Sequence, residues 1–364
     1  MTIKIYNWHD GVAELGPLWS DLVREQGLNP TLHPQWLDVT LDSHGLAGQA
    51  CVALVTSNGE QAIVPLLRRQ VSIAGVPIRC LDLCSNVISY HAALIATGGH
   101  ESLIGELLTG RDLPAWDALR FGNLVCADPT AAAAERIGAA AANVLSYPGE
   151  QSPYVSIEPD WTKYLAARPK KLRANITRCI RMTQQAGETG MTWYEQDADP
   201  ERLLADILEV ESRSWKAGEN KAIRTDSAEG SYYRRLLPWL SRNGMLANVL
   251  YVNHKPAAYV LCAKWHGWVG QLKTSFAQDI RDAGFRVIHA SLERVFRDQA
   301  REYDFLGAAA AHKLRWTDRV RAHEDKWLFA RHWRGHALLR LKRLVDGWKR
   351  ARRPETAAVV EDAS

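Results

Sequence analysis

The sequence predicts an α/β fold of the α+β type, with two tandem domains that each contain a mixed, mostly antiparallel sheet flanked by helices. Two observations lead to this prediction. Strand-like apolar segments alternate with amphipathic helical segments along 364 residues, a length that can bury two ordinary cores. The order hairpin, strand, helix, strand also occurs in each half, and a repeated order indicates two copies of one unit.

The predicted elements of the first half begin with an amphipathic helix. It covers Gly11 to Gln26, where apolar residues recur three and four apart. Asn29 to Leu37 contains two prolines, which predict an extended turn that leads into a second helix. The Asn-Gly pair at 58–59 predicts a hairpin between two apolar runs. The other predicted elements are strands at 76–83, 91–96 and 116–121, helices at 101–108 and 130–146, and a linker at 147–153.

The second half repeats this order from residue 245 onwards. Its predicted elements are strands at 245–252, 257–265, 268–276 and 303–306, and a helix at 285–299. We therefore expect an N-terminal domain at 1–150, a C-terminal domain at 151–335, and a basic amphipathic helix with a disordered tail at 336–364. The strand-to-helix junction of the first copy, Thr97 to His100, has no lysine or arginine, so only the second copy is expected to keep an anion site.

Composition predicts a soluble, cytoplasmic protein, with 46% hydrophobic and 24% charged residues. We find no apolar run typical of a signal peptide, and no segment long enough to span a bilayer. The six cysteines show no metal-like spacing, so we expect reduced, mostly buried thiols and no metal site.

Charge is divided unevenly between the two halves. Residues 1–150 hold 8 Lys and Arg against 15 Asp and Glu, whereas residues 151–364 hold 37 against 26. The basic second half is therefore the one expected to meet a phosphorylated ligand.

A glycine stands where the strand 268–276 leads into the next helix. The loop reads Arg281-Asp-Ala-Gly284-Phe-Arg286. Because a helix begins with backbone N–H groups at the positive end of its dipole, this junction predicts an anion site. The large side chain of Arg286 has two interpretations: it contacts phosphate, or it crowds the close backbone approach that such a loop needs.

A run of basic residues lies between the two copies, from Trp161 to Ala186. Such a run is usually a solvated helix face. The alternative is that Arg173 and Arg178 hold an anionic substrate or RNA, since guanidinium groups match phosphate oxygens. Aromatic residues are not interleaved in the way that single strands of nucleic acid favour, so RNA is the less favoured partner.

Four separated pieces of the sequence occur in the same order in one known family. They are Asn29-Pro-Thr-Leu-His-Pro-Gln-Trp-Leu37, Lys170-Lys-Leu-Arg-Ala-Asn-Ile-Thr-Arg178, Ser214-Trp-Lys216, and Tyr303-Asp-Phe-Leu-Gly307 through Lys313-Leu-Arg-Trp316. Over residues 10 to 330 the chain resembles the CelD-like (BcsL-type) acetyltransferases of cellulose and other exopolysaccharides. These carry a double GNAT fold (the GCN5-related N-acetyltransferase fold) and are related to the Fem aminoacyltransferases. The loop at 281–286 is similar to the GNAT pyrophosphate loop, apart from Arg286.

The resemblance implies direct transfer of an acetyl or other acyl group from acetyl-CoA or another acyl-CoA to an amine or hydroxyl of a small molecule or saccharide. The residues expected to bind the co-substrate are Leu272, Thr274, Arg281, Asp282, Ala283, Gly284, Phe285 and Arg286, with main-chain amides of Leu272–Ser275 polarising the carbonyl. Those expected to bind the acceptor or phosphate oxygens are Arg173, Arg178, Trp215, Lys313 and Arg315. Glu211 and Asp304 are the candidate catalytic bases.

Two other functions stay open at this point. A Fem-like transferase would take an aminoacyl group from tRNA, which the basic run at 161–186 would suit. A scaffold with decayed cofactor sites is the third possibility, and Arg286 is the strongest argument for it. The C-terminal helix has two interpretations as well: it docks on the acidic first half, or it contacts anionic lipid at the inner membrane surface.

Overall fold

The computed structural model describes residues 2–84, 91–110, 112–158 and 160–351. The predicted tail beyond residue 351 lies outside this part of the chain. The described residues form two mixed sheets with helices packed against them. We call these units the first lobe and the second lobe. All six cysteines are free thiols and only Cys126 is exposed, as predicted.

The first half contains seven strands and four α-helices in its described residues. They are β1 (Thr2–Asn7), α1 (Trp8–Glu25), α2 (Pro34–Ser43), β2 (Ala50–Ser57), β3 (Glu60–Ile73), β4 (Val76–Leu83), β5 (Ile95–Ala96), α3 (His100–Thr109), β6 (Ala118–Val125), α4 (Pro129–Ala140) and β7 (Val144–Pro148). Pro30 to Leu32 and Ala47 to Gln49 are short 3₁₀ turns.

The second half contains most of the helices in the described residues. Its elements are β8 (Ser152–Ser156), α5 (Trp161–Ala166), α6 (Lys170–Gln185), β9 (Thr189–Tyr194), α7 (Pro200–Ser212), α8 (Trp215–Gly218), α9 (Ala228–Asn243), β10 (Met245–Val252), β11 (Lys255–Trp265), β12 (Trp268–Phe276), α10 (Ala283–Arg297), β13 (Glu302–Asp304), α11 (Ala311–Leu314), β14 (Val320–Arg321), β15 (His323–Phe329) and α12 (Trp333–Ala351). In the described residues, no helix is long and apolar enough to cross a bilayer.

The two sheets have the same topology, which supports the predicted duplication. The first has the order β1-β2-β3-β4-β6-β15-β7, with β5 beside β3, and the second has the order β9-β10-β11-β12-β13-β8-β14. In each sheet three antiparallel strands lead to a parallel pair, β4 with β6 or β12 with β13. A helix joins the members of each pair, α3 in the first lobe and α10 in the second.

One strand crosses from the second half into the first lobe. β8, the first element after residue 150, pairs with β13 of the second lobe as its position in the chain would suggest. β15 follows the second lobe but lies between β6 and β7 of the first. The prediction that residues 151–335 form the second domain by themselves is therefore corrected, because Leu328 and Phe329 of β15 are buried in cores of the first lobe.

Helix packing also joins the lobes. α2 of the first half lies against α9 of the second, and the Trp36 side chain is fully buried in the core of the second lobe. Its indole N–H donates to the hydroxyl of Tyr232 at 2.9 Å. Arg235 pairs with Asp42 at 2.9 Å at the edge of this contact.

The C-terminal helix α12 docks on the first sheet. Leu338 and Leu339 are buried against Ile78 and Phe329, and the Arg334 guanidinium pairs with Asp117 at 3.0 Å. The sequence left two interpretations of this helix. The contacts of its inner face confirm the first of them, docking on the acidic first half.

Candidate active site

A cleft opens in the second lobe where two parallel strands part. β12 and β13 pair over three positions, Trp268 to Gly270 against Glu302 to Asp304. The chain then leaves the sheet through Leu306 and Gly307, whose φ angles are 48° and 60°. Two adjoining chambers occupy the gap. The helix chamber, beside α10, has a volume of about 570 Å³, and the loop chamber, beside residues 305–313, has one of about 290 Å³.

The first turn of α10 forms part of the helix chamber. Gly284 lies in this wall, and a Cβ added to it would be 2.5 Å from Cδ1 of Phe276. Glycine therefore lets the helix approach the end of β12 closely. The first amides of a helix have no intrahelical acceptor and lie at the positive end of its dipole. The chamber can thus offer backbone N–H groups to an anion.

The residue before this helix is Asp282, which has a φ of 62°. A carboxylate at this position would repel an anion, but Arg178 reaches it from α6. The guanidinium of Arg178 lies 3.2 Å from Oδ2 of Asp282. Arg178 thus neutralises the carboxylate and ties α6 to the start of α10, rather than projecting into the cleft.

A β-bulge shapes the strand between the two chambers. Gln271 lies opposite Cys262 and Lys273 opposite Leu261, so Leu272 has no residue opposite it in the ladder. The backbone groups of a bulged residue are released from regular pairing. Because Leu272 lines the loop chamber, the bulge lies where the sequence predicts amides that hold a carbonyl oxygen.

Lys216 lines both chambers, beside the end of β12. Its Nζ donates to the carbonyl oxygen of Thr274 at 2.9 Å and to Oε1 of Glu211 at 3.2 Å. Burial lowers the pKa of Lys216, although the charge of Glu211 opposes that change. Lys216 therefore brings an ammonium group to the junction of the chambers.

His312 lies at the same junction, since it also lines both chambers. Burial lowers the pKa of this imidazole, and the positive charges of Lys313 and Arg315 lower it further. A histidine with a pKa below its usual value is neutral at pH 7 and can accept a proton. His312 is thus a group in the cleft that can act as a base.

Arg315 supplies a cation to the helix chamber. Its side chain is exposed, and among the described residues no carboxylate oxygen lies within 4.0 Å of its guanidinium nitrogens. Trp215 and Trp316 line the same chamber, the first 43% exposed and the second buried.

The predicted role of Glu211 as a base that contacts the acceptor is corrected. Its side chain has no exposed surface. Oε1 accepts from the hydroxyl of Tyr259 at 2.7 Å and from Lys216, and Oε2 accepts from the amide of Ile223 at 3.2 Å. Glu211 therefore positions Lys216 from beneath the cleft.

The predicted catalytic role of Asp304 is corrected for a similar reason. This carboxylate has no exposed surface and lies at the seam between the lobes. It accepts from His91 Nε2 at 3.0 Å, Ser152 Oγ at 2.9 Å, the Leu306 amide at 2.8 Å and Arg321. Burial alone would raise the pKa, but the hydrogen bond and charge of His91, with the charge of Arg321, lower it to about 2. Asp304 thus holds the lobes together as a permanent anion.

The structure gathers most of the predicted binding residues in the cleft. Those that line it are Leu272, Thr274, Asp282, Gly284, Phe285, Trp215, Lys313 and Arg315. Ala283 is buried beside Gly284. The Arg281 side chain is 71% exposed next to Asp282.

Besides Arg178, two other predicted arginines lie away from the chambers. Arg173 donates to the carbonyl of Ala166 at 2.6 Å and ties α6 to α5. Arg286 donates to the Thr183 hydroxyl on α6. The guanidinium of Arg286 therefore does not fill the cleft, so the strongest argument for a decayed site is removed.

Sequence reasoning missed Lys216 and His312 as site residues. Lys216 belongs to the piece Ser214-Trp-Lys216, on which the family resemblance rests, and His312 directly precedes Lys313 of another such piece. These positions were the only sequence signal that could have identified the two residues. Only the fold shows that the two residues meet at one junction.

Comparison with known proteins agrees with this architecture. Residues 170–314 match the family model described as "Acetyltransferase (GNAT) domain". No curated protein sequence matches the chain.

Among solved structures, a conserved protein of unknown function from Bacteroides thetaiotaomicron is 14% identical with a TM-score of 0.59, over 90% of this chain and 100% of that one. FemX is 12% identical with a TM-score of 0.57, over 94% and 99%. The C-terminal domain of a putative lysylphosphatidylglycerol synthetase from Agrobacterium fabrum is 12% identical with a TM-score of 0.51, over 85% and 95%. At these identities the likeness concerns the fold. The segment that holds the cleft thus matches a GNAT acetyltransferase domain, and the first sheet repeats the topology of the sheet in that segment.

Proposed function

We propose that this protein transfers an acyl group from a coenzyme A thioester to an amine or hydroxyl, with the second lobe as the catalytic lobe. The observation that carries the proposal is the cleft between β12 and β13. In it, the first turn of α10, a strand bulge and an uncompensated arginine meet within the segment that matches the GNAT model.

The helix chamber fits the diphosphate of coenzyme A. The first-turn amides of α10 and the positive end of its dipole suit phosphate oxygens, and Gly284 leaves no side chain in their way. Arg315 in the chamber and the exposed Arg281 at its edge add positive charge. Arg178 keeps Asp282 neutralised, so the carboxylate beside the helix does not oppose binding.

The loop chamber and the junction would serve the reacting groups. When bound, the thioester supplies an activated acyl carbonyl. Backbone amides near the bulge at Leu272 would stabilise negative charge on its oxygen. His312 would take the proton of the attacking amine or hydroxyl as the acceptor gains the acyl group, and would pass that proton to the departing thiolate so that a thiol is released. The enzyme's main contribution is then alignment of the two reactants.

The corresponding place in the first lobe carries a carboxylate. Oε2 of Glu60 would lie 3.1 Å from a Cβ on Gly98, and its Cγ 3.0 Å from one on Gly99, at the start of α3. Thr97 donates to the same carboxylate. Because a phosphate there would meet a negative charge of the chain itself, we assign catalysis to the second lobe alone.

Thermal unfolding with coenzyme A tests the proposal. A ligand that binds the native state raises the transition temperature, in line with its saturation. We expect coenzyme A to raise it for the wild type, Arg315→Ala to reduce the rise, and Gly284→Asp to abolish it. Arg242→Ala removes an exposed arginine at the end of α9 and serves as the matched control. No rise for the wild type at millimolar coenzyme A would refute the proposal.

The nature of the acceptor rests on the family resemblance. The CelD-like acetyltransferases extend the proposal to a saccharide and to exopolysaccharide biosynthesis. Trp215 supports this extension, because an indole that is 43% exposed at the cleft can pack on the apolar face of a sugar. Release of coenzyme A from acetyl-CoA in the presence of cellulose-type oligosaccharides, compared with simple amines, would test it.

A second candidate function is transfer of an aminoacyl group from tRNA. It is favoured by the exposed cations Lys163, Lys170, Lys171 and Arg181 on α5 and α6, which have no carboxylate within 4.0 Å in the described part of the chain. Binding to phosphate backbones weakens steeply with salt. Salt-dependent binding of tRNA without any binding of coenzyme A would place this function first.

A further inference from the structure

The outer face of α12 exposes the most accessible large apolar side chains in the described part of the chain. Trp333 is 80% exposed, Leu344 72% and Trp348 55%. The other exposed large apolar side chains there, such as Leu18 and Trp215, are only 37–43% exposed. Apolar residues scattered singly on a surface need no explanation, but three on one helix indicate a contact surface.

These residues lie on one side of the helix. From Trp333 the steps to Leu344 and to Trp348 are 11 and 15 residues, which at 3.6 residues per turn bring all three to one face. Leu338 and Leu339 lie on the opposite side, where they are buried on the first sheet. Docking on the first lobe therefore explains the inner apolar face and leaves the outer one unexplained.

The outer face is also positively charged. Arg340 is seven residues after Trp333 and so lies on the same face of the helix. It is exposed, as is Arg331 just before the helix, and no carboxylate of the described residues lies within 4.0 Å of either guanidinium group. The acidic residue of the helix, Asp346, pairs with Lys342 at 2.6 Å and accepts from the hydroxyl of Tyr147. The exposed face thus combines apolar side chains with uncompensated cations.

We propose that α12 docks this protein on an anionic phospholipid surface, with its axis parallel to the membrane. Tryptophan prefers the boundary between headgroups and acyl chains, and here one indole lies near each end of the helix. Leu344 would enter the acyl region between them, while Arg340 and Arg331 contact lipid phosphates. A second copy of the chain is a poorer occupant, because a symmetric contact would set this positive face against itself.

This docking would bring the acyltransferase to the membrane without a spanning segment. It is independent of the cleft, because α12 packs on the first lobe and the cleft lies in the second. The two proposals therefore fail or succeed separately.

Co-sedimentation of the full chain with vesicles tests the inference. We expect binding to phosphatidylcholine vesicles that contain phosphatidylglycerol, little binding to pure phosphatidylcholine, and weaker binding at high salt. The variant Trp333→Ser/Leu344→Ser should lower the partition coefficient at least about tenfold, since each side chain contributes apolar burial. Leu18→Ser/Val320→Ser removes two exposed apolar side chains elsewhere and should leave binding unchanged.

Three outcomes would overturn the inference. The first is no binding of the wild type to the anionic vesicles. The second is equal binding by the Trp333→Ser/Leu344→Ser variant, whose fold is checked by circular dichroism. The third is a wild-type dimer, measured by light scattering, that the same variant converts to monomer, because the outer face would then be occupied by a second copy.

Discussion

Replacement of Asp304 by Asn tests whether this residue is a clasp between the lobes. The substitution keeps the size of the side chain and removes its charge. His91 of the first half and Arg321 would then lose the carboxylate that they both bind. Removing one partner of a buried ion pair costs roughly 3–5 kcal/mol, because the other charges are left without compensation. We expect a loss of that size in the free energy of unfolding at pH 7.

The pKa of Asp304 predicts how this loss changes with pH. The carboxyl has an ordinary value of 3.8 and a value of about 2 in the folded protein. A lowered pKa contributes stability above the unfolded value, which is lost as the pH falls through the folded one. The difference between the two values corresponds to about 2 kcal/mol, of which about half is lost between pH 6 and pH 3.

Urea unfolding of the wild type and Asp304→Asn between pH 3 and pH 7 measures both quantities. We expect the difference in free energy of unfolding between the wild type and the variant to be smaller by about 1 kcal/mol at pH 3 than at pH 7. The rise in transition temperature with coenzyme A should be the same for both proteins, because the carboxylate lies outside the two chambers. An advantage that is absent, or that does not change with pH, would refute the assignment of Asp304 as a buried, ionised clasp.

Three more substitutions test other parts of the structure. His312→Gln should lower the rate of acyl transfer about 10²–10⁴-fold. In a pH–rate profile, the wild-type rate should fall at acidic pH, below the usual histidine pKa, and the variant should not show this fall. Lys216→Met should destabilise the protein by roughly 3–5 kcal/mol in urea unfolding, since Glu211 loses its cation, and adding Glu211→Gln should recover part of the loss. Leu328→Ala should cost about 2–5 kcal/mol and increase hydrogen exchange in β6 and β7, whereas an increase confined to the second sheet would contradict the crossing of β15 into the first lobe.

The sequence predicts best the elements whose pattern is carried by their own residues. The strands at 76–83, 245–252 and 268–276 are observed with the predicted bounds, because continuous or alternating apolar runs decide them locally. The strand-to-helix junction at Gly284 is found at the cleft as expected. Glycine and charge are local signals of an anion site, and the structure agrees with them.

Elements that depend on distant partners were missed. β15 contains Lys326, which is only 6% exposed and is paired with Glu135 and Glu324. A lysine inside a short segment is typical of a solvated loop, so the pattern alone does not predict a central strand. The segment predicted as a linker at 147–153 in fact contains the end of β7 and the start of β8, which belong to different sheets.

The carboxylates show the same limit. Asp304 contacts His91, which is 213 positions away in the chain, and Glu211 accepts from Tyr259, 48 positions away. Burial and partners at such separations have no sequence signature without homologous sequences. The sequence shows that these residues are acidic and lie near the site, but only the fold shows that both side chains are fully buried.

The order of synthesis has a consequence in this architecture. When the ribosome has made the first 150 residues, the gap between β6 and β7 still lacks β15, which comes about 180 residues later in the sequence. The first sheet therefore stays incomplete, with the edges of β6 and β7 unpaired, until nearly the whole polypeptide has emerged. Closure over so long a separation is slow, and we expect the nascent chain to need protection from aggregation during that interval.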